Sequence, residues 1–318
     1  MRAINITEPG GARSRTMFHD GERAVQRRAG AEQFAARVGR GIVPWIRPEY
    51  AEFLSQQPFV VVAGQDAKER VWASLIVGGT GFARAVDDRR LLLAGALPAR
   101  DPLAAMFDLP GGRIGILAIE PHTRSRIRLN GAAERTREGI LVTVDEAFGN
   151  CRRFISRRVP AEPITPPRPG RHRSGTVLDA RQVGLIRAAD TFFIASTHPE
   201  RGADASHRGG RPGFVEAPAG GGSLRFPDYQ GNRMFQTLGN LTVAPGVGLL
   251  FVDWQSGAAL QLTGRARIVW DEQEVKTRPG AERLVDVEID AVHQHQRAMP
   301  ARWSPILPSR PNPPVSTE

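Results

Sequence analysis

Cysteine is nearly absent from this chain: among 318 residues, Cys151 stands alone. An internal disulfide is therefore impossible and a cysteine-rich zinc site is excluded, which fits a reducing compartment. Lysine is almost as scarce, with Lys68 and Lys276 the only two, so the net charge of +10 is carried by arginine. Those arginines are spread through both halves and interleaved with Asp and Glu, without the stripe that tracks a nucleic-acid backbone. A compositional preference for Arg over Lys is the simpler account. No apolar run approaches the ~20 residues that span a bilayer, and Met1 to Gly11 lacks the apolar stretch of a signal peptide. These absences predict a soluble cytoplasmic protein with neither nucleic acid nor membrane as a partner. A GxGxxG dinucleotide signature and a hydrolytic triad are missing as well.

What is present reads as β structure. The length suits two domains of about 130 residues. Short helices are expected first, over Glu22–Ala29, Ala31–Val38 and Pro48–Leu54, the last with proline in its first turn. Strand patterns follow at Phe59–Ala63, Val71–Val77, Arg90–Ala94, Ile114–Ile119, Arg126–Asn130 and Ile140–Val144, with one helical turn over Asp101–Phe107. A second set comprises Thr191–Ser196, Gly213–Val215, Ser223–Phe226, Val247–Val252, Ala259–Thr263, Ala266–Trp270 and Leu284–Val292. The two sets are in register. Trp72-Ala-Ser74 recurs as Asp204-Ala-Ser206 and Gly81-Phe-Ala83 as Gly213-Phe-Val215, both at one and the same spacing. Gly115-Ile-Leu-Ala-Ile-Glu120 recurs as Gly248-Leu-Leu-Phe-Val-Asp253, and Leu129-Asn-Gly131 as Leu262-Thr-Gly264, both at a spacing longer by a single position. An ordered series of this kind implies two copies of one β domain. The expected organisation is an N-terminal helical extension (1–48), a first lobe (49–158), a proline-rich linker (159–176), a second lobe (177–303) and a tail (304–318).

One stretch looks built for an anion. Ser206-His-Arg-Gly-Gly-Arg-Pro-Gly-Phe-Val215 and Pro227-Asp-Tyr-Gln-Gly-Asn-Arg233 combine glycines, which permit close backbone approach, with hydroxyl, guanidinium and amide donors suited to a phosphate dianion. The same segments, with Asn240-Leu241, Pro245–Phe251 and Thr263-Gly-Arg-Ala266, resemble the pyridoxamine 5'-phosphate oxidase-like, FMN-binding split-barrel family. The first half is similar to the N-terminal lobe of its larger members in Phe18–Glu22, Glu120–Arg124, Arg128–Gly131 and Phe148–Ile155. The resemblance implies a mainly β fold of two tandem split barrels, FMN as cofactor, and an oxidoreductase acting on a small organic substrate. It also implies a homodimer and, since no reductase module is seen, a separate redox partner such as a reductase or ferredoxin.

Carried over residue by residue, the resemblance puts Ser206 and Arg208 on a strand at the flavin phosphate, with His207 and Gly209 beside them, and Asn232 and Arg233 at the start of the following helix. Pro227 and Asp228 would pass the ring system, Asn150 and Cys151 would face it from the other lobe, and Trp303 would close over it. Where family members often carry a late-strand Gln, Ala259 stands here, and Ser74–Gly79 keeps the serine and glycines but lacks the arginine, so the implied pair is one binding site and one degenerate site. A non-catalytic protein, or one loaded with haem or a deazaflavin, is the alternative.

Several of these residues have a plainer reading. Cys151 can be a small buried apolar residue, His207 can turn outward, and Trp303 can pack a terminal segment onto the barrel. Arg124, Arg126 and Arg128 alternate along a strand and read first as a solvated face, second as a groove for an acidic ligand. His293 and His295 share one strand face but lack an evident third ligand, which predicts exposed histidines and no metal.

Overall fold

The computed structural model describes residues 17–108, 111–165 and 170–304. Polar, Gly/Arg-rich residues 1 to 17 are expected from the sequence to be loosely ordered, and all of them but Met17 lie outside the described residues, as does the tail beyond Ser304.

Three helices come first: α1 (Asp20–Arg28), α2 (Glu32–Gly39) and α3 (Pro48–Ser55). The first starts at a reciprocal cap in which the His19 ring accepts from the Gly21 amide and Glu22 accepts from the His19 amide at 2.8 Å. The first lobe is a seven-stranded antiparallel sheet of β1 (Phe59–Gln65), β2 (Val71–Val77), β3 (Ala83–Ala85), β4 (Arg90–Leu93), β5 (Gly112–Glu120), β6 (Ser125–Arg135) and β7 (Ile140–Gly149). A short 3-10 turn, Ala104–Asp108, lies between β4 and β5. The second half runs β8 (His172–Gly175), α4 (Ala180–Ala188), β9 (Thr191–His198), β10 (Gly202–Gly209), β11 (Ser223–Tyr229), α5 (Gln236–Val243), β12 (Gly246–Val252), β13 (Ala259–Val269), α6 (Glu272–Lys276) and β14 (Ala281–His295).

The duplication is visible in the topology. Strand order is β2-β1-β5-β6-β7-β4-β3 in one sheet and β10-β9-β12-β13-β14-β11 in the other, so removing β3 makes the two coincide. Even the irregularities match. The β6–β7 ladder slips at Asn130/Gly131 and the β13–β14 ladder at Thr263/Gly264, equivalent positions of the two copies. At each slip a side chain is forbidden, because a Cβ on Gly131 or Gly264 would run into the facing strand's carbonyl, of Thr143 or Glu288. The fold is therefore mainly β, two split barrels in tandem.

Each lobe has its own core, around Trp72, Leu91, Ile116 and Val142 in the first and Phe192, Phe226, Phe251 and Val285 in the second. A third apolar cluster joins them, with Phe59, Val61, Leu75 and Leu117 packed on Phe193, Ala205, Leu250 and Trp254. This explains why β2 is buried at every position: one face meets its own lobe and the other meets the second lobe. Two glycines set the approach. A Cβ on Gly115 would lie 2.6 Å from Asp204 Cα of β10, and one on Gly248 would lie 2.6 Å from Trp72 Cα of β2. These are the same contact made twice, once in each direction, so the lobes pair face to face within a single chain about a pseudo-twofold axis.

The sequence reading differs from the structure at a few segments. Gly213–Val215 is a turn, not a strand, with Gly213 at φ 90°. Residues 172–175, assigned to the linker, form β8 on the edge of β14, because the chain leaving Gly170 is free of proline and finds an unpaired strand edge. The helices α4 and α6 are additions to the expected elements; α4 starts at the Asp179/Gln182 capping box, and α6 starts at a cap supplied by Asp271.

Candidate functional site

The site lies where the lobes meet. From the second lobe, β10 brings Ser206, His207 and Arg208, β11 brings Asp228, and the turn before α5 brings Asn232 and Arg233. From the first lobe, β6 contributes Arg126 and Arg128, and Asn150 follows β7. Together they line a partly open cavity of about 60 Å³, room for a few waters or a phosphate-sized group. A larger cleft of about 780 Å³ lies beside Trp254, but there the one buried arginine, Arg158, already bonds Asp190 at 2.7 Å.

The electrostatics of the small cavity are unbalanced. The Nε groups of Arg126 and Arg208 and the Nδ2 of Asn150 are buried without a hydrogen-bond partner, as are both ring nitrogens of His207. Arg128 does have partners: it donates to Gln236 Oε1 at 2.9 Å and is paired with Asp204. Arg208 meets Asp228 only at 3.7 Å, and Asp228 is engaged at 2.9 Å by Arg283. Burial, reinforced by Arg126 and Arg208, brings Arg128 down to about 9, and burial also lowers Arg126. Burial and the same arginines hold His207 well below its usual value, so its ring is neutral at neutral pH. Buried cations that depress one another, with N–H groups left over, form a site short of negative charge.

The backbone adds to this. Gln236 opens α5 with no side-chain cap on the helix, and Gln236, Thr237 and Leu238 border the cavity, so the positive end of the helix faces it. Getting the chain there costs strain: Arg233 and Phe235 both take left-handed backbone conformations, at φ 57° and 61°. The lobes are tied at the rim by Asn232, whose Nδ2 donates to Asn150 Oδ1 at 2.8 Å.

Of the residues expected at the site, Ser206, His207, Arg208, Asp228, Asn232, Arg233 and Asn150 line this one cavity. Asn232 and Arg233 do so from the turn preceding the helix, whose opening residues are Gln236 and Thr237. Gly209 is close to backbone, as its lack of a side chain allows, but what it meets is the chain's own Phe154 carbonyl. Pro227 is buried in β11, a sheet-edge position where its missing N–H costs no ladder bond, and does not border the cavity. Cys151 sits just outside, accepting a long contact from Arg126 at 3.9 Å. Trp303 is not among the residues lining the cavity. It packs edge-on against Phe59 and Trp254 and its backbone bridges to Pro160.

Two pairs of residues depart from the sequence reading. Arg126 and Arg128 are not on a solvated face: Arg128 is 3% exposed, and both point into the lobe interface. Their alternation with Arg124 is the available signal, but Arg124 belongs to the hairpin turn, at φ 58°. The two histidines are not exposed either. His295 is 4% exposed, and a third ring, His172 of β8, stands beside the pair.

Residues 178–303 match the family model described as pyridoxamine 5'-phosphate oxidase. No curated protein matches the chain by sequence. Among solved structures, HupZ of Group A Streptococcus is 11% identical, covering 39% of this chain and 98% of its own, at a TM-score of 0.32. An FAD-binding protein of Mycobacterium smegmatis is 15% identical over 38% of this chain and 99% of its own, at 0.26. An F420 reductase is 16% identical over 34% and 93%, at 0.27. Among the described residues, no helix is long and apolar enough to cross a membrane.

Proposed function

The second lobe belongs to the pyridoxamine 5'-phosphate oxidase-like split-barrel family, and from that premise we propose that the chain is a flavoprotein which holds FMN by its phosphate between the lobes and serves as an oxidoreductase for a small organic substrate. The observation that carries this reading is the convergence of Arg126, Arg128 and Arg208 on one cavity with the Nε groups of Arg126 and Arg208 buried and unpartnered. A phosphate dianion would satisfy those groups, and no neutral ligand would balance the charge.

Bound FMN would supply the redox chemistry, taking up or releasing hydride or electrons. The protein's part is positional and electrostatic. The guanidinium groups of Arg126 and Arg208 would hold the phosphate, and Arg128, kept in place by Asp204 and Gln236, would add positive charge. Ser206, Asn232 and the α5 amides complete the cradle. Neutral His207 can donate through one ring nitrogen and accept through the other without adding to the positive charge. The Asn150–Asn232 bond holds the two lobes at a fixed separation across the ligand. Both lobes contribute walls to the cavity. The electron donor would be a separate reductase or ferredoxin.

The test is to purify the full chain, record its absorption spectrum, then denature it and identify what is released. Flavin bands and released FMN are expected, and both should disappear in Arg126→Ala/Arg208→Ala. A haem Soret band, a deazaflavin, or full flavin occupancy in the double variant would overturn the proposal.

A further inference from the structure

The pseudo-twofold that builds the arginine cavity must build a second location related to it, and the strand registers say which residues stand there. Where β6 presents Arg126 and Arg128, β13 presents Ala259 and Gln261. Opposite them, where β7 and its end present Phe148 and Asn150, β14 presents His293 and His295. The linker strand β8 then lays His172 directly across from His295.

The three rings close on one another. Their ligand nitrogens all lie within 4.8 Å, and His172 Nε2 is 3.0 Å from His293 Nδ1. Nitrogens around a tetrahedral ion with bonds of about 2.0–2.1 Å are roughly 3.3 Å apart, so small ring rotations bring the set to coordination distance. A second, independent observation is that His295 Nε2 is buried and has no hydrogen-bond partner. Burial, and for His293 and His295 the neighbouring rings, keep these imidazoles below their usual value, which leaves nitrogen lone pairs free of protons at neutral pH. Arg70 and Arg100 act against a cation here, while Asp66 acts for it. Asp66 also bonds Arg70 at 2.8 Å, offsetting that charge.

We infer that His172, His293 and His295 form a three-nitrogen site for a divalent late transition metal of the Zn²⁺ class, which fastens the linker strand β8 onto the second lobe. Three imidazoles without a carboxylate favour such ions over Mg²⁺ or Ca²⁺. Three ligands leave a fourth position for water. The site shares no residue with the arginine cavity and does not rest on the flavin reading.

The experiment uses the full chain without a polyhistidine tag, stripped with chelator and titrated calorimetrically with Zn²⁺. One ion per chain is expected, together with a chelator-reversible rise of several degrees in unfolding temperature and slower proteolytic cleavage of the linker. Co²⁺ in its place should show the intense visible absorption of a four-coordinate ion. His172→Gln and His293→Gln should each weaken binding on the order of 100-fold, whereas His122→Gln, at an exposed histidine elsewhere, should not. His172 is only partly buried, so metal-free unfolding of its variant should match the parent and separates lost binding from lost folding. Absence of Zn²⁺ binding, equal binding by the His172→Gln/His293→Gln double variant, or equal binding of Mg²⁺ would overturn the assignment.

Discussion

Two places in this molecule began as copies and are now chemically opposite. In one, Arg126, Arg128 and Arg208 surround a cavity with N–H groups to spare. In the other, the matching positions are Ala259, Gln261 and Ile76, and the space is closed by a carboxyl group: Asp101 accepts from Ser74 and from Gln261 Nε2, the latter at 3.0 Å. Ser74 is the counterpart of Ser206, so the same hydroxyl serves an internal bond in one copy and borders an open cavity in the other. The difference teaches how an arginine-lined cavity can be closed. Removing the arginines alone would leave a void and an idle serine; the buried acid and the glutamine fill both roles.

The largest expected effect comes from removing the charge that distinguishes the copies. Arg126→Ala and Arg208→Ala should each weaken FMN binding by about 1.5–3 kcal/mol, roughly 10- to 150-fold, measured by equilibrium dialysis. Gln261→Ala, at the other copy, should leave FMN affinity unchanged. Arg126→Ala should also stabilise the ligand-free protein in urea, since it removes a buried cation lacking a carboxylate partner. A destabilised ligand-free Arg126→Ala would break the contrast.

Next in size is the pH response of the closed copy. Burial raises Asp101 from the ordinary carboxyl range to about 6, against the hydrogen bonds that lower it. Because the folded value is above the unfolded one, this group's contribution to stability is complete below about pH 4 and is lost as pH rises towards 6, on the order of 3 kcal/mol. Asp101→Asn should flatten urea-denaturation stability across that window. An unchanged slope would show that the carboxyl is not the titrating group.

Smaller effects concern the contact between lobes. Gly115→Val and Gly248→Val each force a side chain onto the opposing backbone and should lower stability by about 1–3 kcal/mol, to similar extents if the two contacts are equivalent. Only Gly115 abuts the Asp204 segment that anchors Arg128, so only Gly115→Val should also weaken FMN. Smallest is the serine pair. Ser206→Ala should cost about 1 kcal/mol of FMN binding and little stability, and Ser74→Ala the reverse; calorimetry and thermal melts on both variants decide it.

Most strands, the duplication and much of the lining of the arginine cavity are legible in the sequence, because alternation, β-branched runs and a nearly constant offset are local or periodic signals. Ser206, Arg208, Asn232 and Arg233 announce themselves by residue type and spacing. Arg126 and Arg128 do not, since what buries them is the other lobe, contributed by a distant stretch of chain at Ser206 and Arg208. His172 is hidden for the same reason: nothing in a proline-rich connector says that part of it will pair with β14. Trp303 and Pro227 are placed near the flavin by resemblance, whereas their neighbours show packing roles.

The paired glycine contacts at Gly115 and Gly248 have an evolutionary corollary. In an assembly of identical subunits one gene writes both interfaces, so any substitution that spoils one ligand station spoils its twin. Joining the halves into one polypeptide lifts that coupling: each half answers to its own codons, and one can gather arginines around a cavity while the other closes over Asp101 without either being compromised.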